Sequence, residues 1–113
     1  IGARLVVDNL EESEAFFEQV FNVQPGRRIR TAAFDEVFIE FGDGPFLALY
    51  EVLNEAPLAK SWYPVVAIYS SDYDGVLERI KKLGLGVRER GDRVLFANDP
   101  SGNVVEVVRQ SDR

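Results

Sequence analysis

The chain has 113 residues, of which 46% are hydrophobic, and this length and composition are typical of one globular domain with a buried core. It contains no cysteine, histidine or methionine, which excludes disulfides, thiolate nucleophiles and any metal site or general base that depends on histidine. The formal net charge of −6 disfavours nucleic acid and anionic membranes as partners, and is explained either by solubility or by attraction of cationic ligands.

The chain begins with a pattern that predicts a strand followed by a helix. Residues 3–7 form a short apolar run typical of a strand. Asn9 is suited to cap the next helix, and Glu12, three residues later, completes a capping-box arrangement. From Leu10 to Phe21 the large apolar side chains recur at i, i+4 spacing. This spacing predicts an amphipathic helix over residues 10–21.

Three predicted strands complete the first half. Pro25-Gly26 is interpreted as a chain break, and residues 27–31 follow as an edge strand. Residues 36–41 alternate between two faces, which indicates a half-buried strand. A Gly- and Pro-rich turn at 42–45 then leads to a strand over 46–50. Segment 53–63 breaks the pattern and is interpreted as a linker.

The second half repeats the same order of elements. Residues 65–70 predict a strand, Asp72 is a candidate N-cap, and residues 73–83 predict a helix that ends at Gly84. Two further strands flank the tight turn Gly91-Asp92. The two strands of this hairpin are predicted at residues 87–90 and 93–97. A turn at residues 98–103 then leads to the last strand at residues 104–108.

The strand–helix–strand–strand–strand order therefore occurs twice. It predicts an α+β fold of two βαβββ modules that form a curved mixed sheet with a concave cleft, with the helices on the outer face. Residues 1–113 are predicted to be one domain, with module one at about 1–52, a linker at 53–63 and module two at 64–109. The alternative is a two-layer α+β domain without an internal repeat.

Three segments of this sequence resemble a known family. They are V-D-N-L-E-E-S-E-A-F-F at 7–17, the second predicted helix with its terminal glycine at 72–84, and F-A-N-D-P-S-G-N-V-V-E at 96–106. In this order they resemble the glyoxalase/bleomycin resistance protein/dioxygenase (vicinal oxygen chelate) superfamily, and the match covers almost the whole chain. Asn9 stands where that family usually has Asp, and Phe17 where it usually has Tyr.

The resemblance implies four metal-ligand positions, and this chain fills only one of them with a ligand. The positions are Gly2, Ala48, Val65 and Glu106, of which only Glu106 has a side-chain oxygen. One carboxylate does not satisfy a divalent ion that requires several ligands. We therefore expect no metal and no other cofactor, and neither glyoxalase nor extradiol dioxygenase activity. In this respect the chain is similar to the metal-free bleomycin-resistance-like members.

Strand parity predicts which side chains line the cleft together with Glu106. They are mostly apolar and aromatic, which suits an organic ligand with flat rings. Arg4 is expected either to bind a ligand carboxylate or to pair with Glu106. Trp62 on the linker is either a stacking lid or an anchor or dimer contact, and Arg27-Arg28 is interpreted as a solvated edge. The expected ligand-binding residues are Arg4, Phe38, Phe46, Tyr50, Trp62, Tyr69, Phe96 and Glu106.

The predicted function is metal-independent binding of a small molecule, for example sequestration of a planar aromatic or cationic compound such as an antibiotic. The alternative is a metal-free lyase or isomerase with Glu106 as general base. A third possibility is an interaction domain whose cleft binds a partner chain. We expect a homodimer, with modules paired within or between chains, and neither nucleic acid nor membrane as partner. No apolar run approaches the ~20 residues of a membrane span, and the first residues lack a secretion-signal pattern, so a cytoplasmic location is expected.

Overall fold

The computed structural model describes residues 2–41, 46–53 and 64–110. Within these ranges, helices and strands follow one another in the predicted order, so the twofold βαβββ arrangement is confirmed. The bounds of both helices agree with the prediction, and strand ends differ by one or two residues. The elements are β1 Gly2–Val7, α1 Leu10–Phe21, β2 Pro25–Arg30, β3 Phe34–Glu40, β4 Phe46–Val52, β5 Pro64–Ser70, α2 Tyr73–Leu83, β6 Val87–Arg90, β7 Val94–Asn98 and β8 Val104–Arg109.

The chain divides into two compact units, residues 1–60 and 61–113, and the boundary falls in the predicted linker. The first unit contains a four-stranded sheet in the order β1-β4-β3-β2. β1 runs parallel to β4, while β3 is antiparallel to both of its neighbours. The second unit repeats this arrangement in the order β5-β8-β7-β6. Each unit is therefore a mixed sheet with one helix.

In the first unit, α1 covers one sheet face because its large side chains form a single stripe. Phe17 and Val20 are fully buried, as are Ile39 and Leu49 on the central strands. Ring packing extends along the helix, where Phe16 meets Phe17 edge to face at 5.0 Å between ring centroids. Burial of such side chains contributes about 1.5–3 kcal/mol each, so this helix–sheet contact stabilises the unit.

Both ends of α1 are fixed by local hydrogen bonds and backbone geometry. The Asn9 side chain accepts a hydrogen bond from the Glu12 amide at 3.0 Å, which confirms the predicted N-cap. The Leu10 amide donates to the Glu51 carboxylate at 2.8 Å, which ties the helix start to β4. Asn22 ends the helix in the left-handed conformation with φ 55°, a conformation that Asn tolerates better than most residues.

The predicted chain break at Pro25-Gly26 is wrong, because β2 begins at Pro25 and contains a bulge there. Pro25 pairs with Ile39 but Arg28 pairs with Val37, so β2 has one extra residue in this stretch. A Cβ atom on Gly26 would lie 3.0 Å from the Phe38 carbonyl oxygen. Glycine therefore permits the close approach of the two strands, and the same dipeptide that suggests an interruption instead shapes the strand.

In the second unit, α2 covers its sheet with a stripe in which Val76 and Ile80 are buried. Leu95, Val105 and Val107 are fully buried on the sheet. Asp72 stands at the N-cap position as predicted, but its side chain makes no capping hydrogen bond. Its carboxylate instead accepts a hydrogen bond at 2.8 Å from Arg79, which lies about two helical turns further along the chain.

Arg109 at the end of β8 connects the last strand to α2. Its guanidinium donates two hydrogen bonds to Asp74, at 3.0 and 3.3 Å, and lies 4.3 Å from the centroid of the Tyr73 ring. The hydrogen bond from Arg109 lowers the pKa of Asp74, and burial raises the pKa of the Tyr73 hydroxyl. Within the described ranges, neither helix is long and apolar enough to cross a membrane.

Candidate functional site

The sheet face of the first unit that lies opposite α1, here called the first open face, carries four of the predicted site residues. Cross-strand pairing places Arg4 opposite Ala48, and Ala48 opposite Phe38. The neighbouring row contains Tyr50 with Glu36 on one side. The residues that alternate with them on the same strands, such as Val37, Ile39 and Leu49, are buried on the side of α1, and Glu36 and Ala48 on the open face are buried as well. This face carries Arg4, Val6, Glu36, Phe38, Glu40, Phe46, Ala48 and Tyr50.

Arg4 forms an ion pair with Glu36. The predicted alternative, in which Arg4 pairs with Glu106, is therefore wrong. The Arg4 Nε lies 3.0 Å from the Glu36 Oε2, and the two side chains are 60% and 4% exposed. The same guanidinium lies 4.7 Å from the centroid of the Tyr50 ring. Because Ala48 between them is small, Arg4 reaches diagonally across β4 to the carboxylate on β3. The charge of Glu36 is therefore compensated within the first open face.

Aromatic rings form two contact pairs on this face. Phe38 and Phe46 meet edge to face, with centroids 5.2 Å apart and planes at 70°. Phe34 and Tyr50 are stacked, with centroids 4.8 Å apart. These distances lie in the range where ring pairs attract one another beyond simple burial. Of the rings that sequence parity placed on this face, Phe38 and Phe46 are thus in contact with one another, whereas Tyr50 stacks on Phe34, which was not in the predicted set.

A hollow of about 330 Å³ lies at one end of the first open face, lined by Arg27, Phe38, Glu40 and Phe46. Arg27 was not among the predicted site residues, because Arg27-Arg28 was interpreted as a solvated edge. The bulge in β2 places its guanidinium 5.2 Å from the centroid of the Phe38 ring. The available sequence signal was the Pro25-Gly26 pair itself, since glycine inside a strand often marks a bulge.

The second open face, on the side of the second sheet opposite α2, carries three predicted site residues. Glu106 lies between Ala67 and Phe96 in the cross-strand register. Tyr69 is 66% exposed. Arg88 and Arg90 lie 5.9 and 5.5 Å from the centroid of the Phe96 ring. Two cations above one ring are a feature that strand parity alone does not predict, because it depends on the packing of long side chains.

No ion pair of Glu106 is present in the part of the chain that the structure describes, and its side chain is half-buried. The remaining predicted site residue, Trp62, lies outside the described residues. The structure thus groups Arg4, Phe38, Phe46 and Tyr50 on one open face. On the other it groups Tyr69, Phe96 and Glu106.

The residues at the implied metal positions do not fit a divalent ion. Gly2 has no side chain, and Ala48 presents a methyl group that is 2% exposed between Arg4 and Phe38. Val65 in β5 has only a hydrocarbon side chain, which leaves Glu106 as the one donor. Among the described residues, no group of three or more histidines, cysteines or carboxylates is arranged to hold a metal. A single carboxylate supplies too few ligands for a divalent ion.

Comparison with known proteins gives a family and a set of similar folds. The family model described as Glyoxalase/Bleomycin resistance protein/Dioxygenase superfamily matches residues 3–107. A search of curated proteins finds no match.

The fosfomycin resistance protein FosX from Mesorhizobium loti has a TM-score of 0.76 at 23% identity, over 99% of this chain and 91% of that one. FosX from Listeria monocytogenes, complexed with Mn(II) and sulfate, has a TM-score of 0.74 at 21% identity, over 99% and 92%. The trypanothione-dependent glyoxalase I of Leishmania major has a TM-score of 0.82 at 17% identity, over 96% and 84%. At these identities the similarity is one of fold.

Proposed function

Because this chain belongs to the Glyoxalase/Bleomycin resistance protein/Dioxygenase superfamily, we propose that it binds a small organic molecule on its open sheet faces without a metal ion. The observation that carries this proposal is the hollow of about 330 Å³ on the first open face, with two phenyl rings as its apolar wall. Ligand sites are typically concave and mostly apolar, with a few polar groups that fix orientation. The hollow has this composition.

Metal independence is supported by the chemistry of the side chains at the implied ligand positions. Hydrogen, methyl and isopropyl groups at Gly2, Ala48 and Val65 offer no lone pair to an ion. In addition, Ala48 is enclosed by its neighbours on both adjacent strands. Fosfomycin resistance and glyoxalase I are the activities named for similar folds, and one of those structures contains Mn(II). We propose that this chain retains the binding surface of the fold and not its metal chemistry.

Metal content is the first expected result that tests the proposal. Protein incubated with excess Mn(II), Ni(II) or Zn(II) and then desalted is expected to retain far less than one ion per chain, because Glu106 alone cannot supply a coordination shell. Native mass spectrometry measures this ratio, and the same spectra test the homodimer that we also propose. The control variant Ala67→His/Phe96→His places an imidazole on each side of Glu106 in the second sheet and is expected to retain more metal. One tightly held ion per wild-type chain would refute metal independence.

The proposed ligand carries a planar apolar ring, because rings are the main feature of both open faces. Phe38 and Phe46 form one such wall, and Phe96 stands on the other open face. Stacking against an aromatic wall contributes about 0.5–1.5 kcal/mol per ring pair beyond burial.

Removal of one wall of the hollow is expected to weaken binding. Compounds that raise the melting temperature of the wild-type chain in a screen of planar aromatic molecules are expected to bind Phe38→Ala about 5- to 10-fold more weakly, because about 1–1.4 kcal/mol of ring contact is lost. Titration calorimetry measures the change. The control is Leu83→Ala, which removes an apolar side chain that is 41% exposed at the end of α2. Equal affinity of Phe38→Ala and wild type would contradict a site at the hollow.

A metal-free lyase or isomerase reaction with Glu106 as general base is the second candidate function. It is favoured by one observation, that no ion pair occupies the Glu106 carboxylate among the described residues, while its neighbour Ala67 is small. A free carboxylate on a ligand-binding face is able to accept a proton from a bound molecule. Conversion of a screened ligand, abolished in Glu106→Gln with binding retained, would establish this function.

A further inference from the structure

We propose that the hollow on the first open face binds an amphoteric molecule, one that carries both a carboxylate and an ammonium group on a flat apolar body. In this proposal Arg27 contacts the carboxylate, Glu40 contacts the ammonium group, and Phe38 with Phe46 contacts the ring. The inference rests on the proposed function of small-molecule binding and names the chemical class of the ligand. An α-amino acid with an aromatic side chain is the simplest member of this class.

The bulge in β2 brings the positive side of this site into place. One extra residue between Pro25 and Arg28 lets Arg27 lie above Phe38, while Arg28 reaches Glu14 and Asp35 on the helix side. Such bulges typically redirect a side chain. On the negative side, Glu40 ends β3 two residues after Phe38, so its side chain has the same parity. The Glu40 carboxylate also lies near the bulge, since a Cβ atom on Gly26 would be 4.0 Å from its Oε2.

The two charged residues of the hollow, Arg27 and Glu40, do not form an ion pair with one another, unlike the other two charged residues of this face. Arg4 and Glu36 form an ion pair with one another at 3.0 Å. Arg27 has only the Phe38 ring as a charge contact, and Glu40 is in no ion pair within the described residues, although both line the same hollow. Their charged groups are thus more than 4.0 Å from one another and form no ion pair. A bound molecule with two opposite charges would contact both.

A ligand with one charge is disfavoured by the same arrangement. An anion bound to Arg27 would lie near the Glu40 carboxylate, and a cation bound to Glu40 would lie near the guanidinium. Each case brings the charge of the ligand near a protein group of the same sign and leaves that group without a ligand partner, which weakens binding. A ligand that carries both charges avoids this cost. The hollow therefore selects for the amphoteric class by penalising its singly charged analogues.

The size of the hollow limits the size of the proposed ligand, and the corresponding position in the second unit shows whether the same charges recur there. About 330 Å³ lies at the lower end of the range of ligand pockets, which suits a molecule of the size of an aromatic amino acid. In the second unit the ring of Phe96 has two arginines near it, and Asn98 takes the place in β7 that Glu40 has in β3. The second unit therefore has no carboxylate at the position equivalent to Glu40, and its carboxylate without an ion pair among the described residues, Glu106, lies directly across from Phe96 instead.

Three probes with the same phenyl ring test the inference by titration calorimetry on the full chain. They are L-phenylalanine, phenethylamine, which lacks the carboxylate, and 3-phenylpropionate, which lacks the ammonium group. We expect L-phenylalanine to bind about 5-fold more tightly than either analogue, in line with the strength of exposed charge pairs. Arg27→Gln is expected to remove the advantage over phenethylamine, and Glu40→Gln the advantage over 3-phenylpropionate.

The control variant also replaces one cation and one anion by glutamine, but on α2, away from the hollow. Lys82→Gln/Glu78→Gln removes one exposed pair of opposite charges on α2, at 3.7 Å, and is expected to leave all three affinities unchanged. Arg27→Gln/Glu40→Gln is expected to bind the three probes equally. Equal binding of the probes to the wild type, or no effect of the two single variants, would overturn the inference. If Phe38→Ala still weakens binding of aromatic compounds in that case, the proposed function stands without it.

Discussion

Replacement of Phe17 by alanine is expected to lower the free energy of unfolding by about 3–5 kcal/mol, the typical cost of removing a large aromatic side chain from a core. Phe17 is fully buried, meets Phe16 edge to face at 5.0 Å and stacks on Phe21 at 5.8 Å. Its removal leaves a cavity between α1 and the sheet that rigid strands cannot fill. Urea denaturation followed by circular dichroism measures the loss.

The matched control for this prediction is Phe21→Ala. Phe21 lies at the last position of α1 and is half-buried, so its loss is expected to cost about 1–2 kcal/mol, because much of the space becomes accessible to water. Equal costs for the two variants would mean that burial at Phe17 is not what stabilises the unit. Because a chain of this size has a free energy of unfolding of about 5–15 kcal/mol, Phe17→Ala is also expected to show the larger loss of folded protein at 37 °C.

The second large effect is expected from Arg4→Ala, which should lower the free energy of unfolding by about 2–3 kcal/mol. The carboxylate of Glu36 is 4% exposed and loses its ion-pair partner, and an unpaired buried charge is costly. The value is below that of a fully buried pair because Arg4 itself is 60% exposed. The contact between the guanidinium and the Tyr50 ring, at 4.7 Å, is lost as well. Urea denaturation at neutral pH measures the change.

A double-mutant cycle separates the two contributions of Arg4. In Arg4→Ala/Glu36→Gln the buried group is neutral, so the double variant is expected to be more stable than Arg4→Ala alone. A double variant that is less stable than the wild type by the sum of the two single losses would show that the two side chains do not interact. The result also concerns ligand binding, because a compensated Glu36 is not available to attract a cation, and Glu40 remains the free carboxylate of the face.

The helices and the assignment of side chains to sheet faces were predictable because both depend on short sequence periods. Asn9 and Glu12 mark the start of α1, and its bounds at Leu10 and Phe21 agree with the prediction. Alternation along β3 and β4 correctly placed Phe38, Phe46 and Tyr50 on one face. A period of two residues in a strand leaves only a choice between two faces, and burial decides that choice.

The partners of the charged residues were not predictable from these periods. Arg4 meets Glu36 across a distance of 32 residues in sequence, and Arg27 lies above Phe38 only because β2 contains a bulge. Sequence periodicity gives the direction of a side chain but not which strand is its neighbour or where the register shifts. These features depend on strand order, which places β4 between β1 and β3. Arg27 was missed as a site residue for this reason.

The sequence by itself determined the order of elements, the repeat of βαβββ and the bounds of both helices. Each of these depends on residue type and on spacing along the chain. The tertiary structure decided that Arg4 is neutralised by Glu36 and that Arg27 and Glu40 border one hollow with two rings. Contacts between long side chains depend on strand order, register and a single extra residue in β2, and these are fixed only when the sheet has formed.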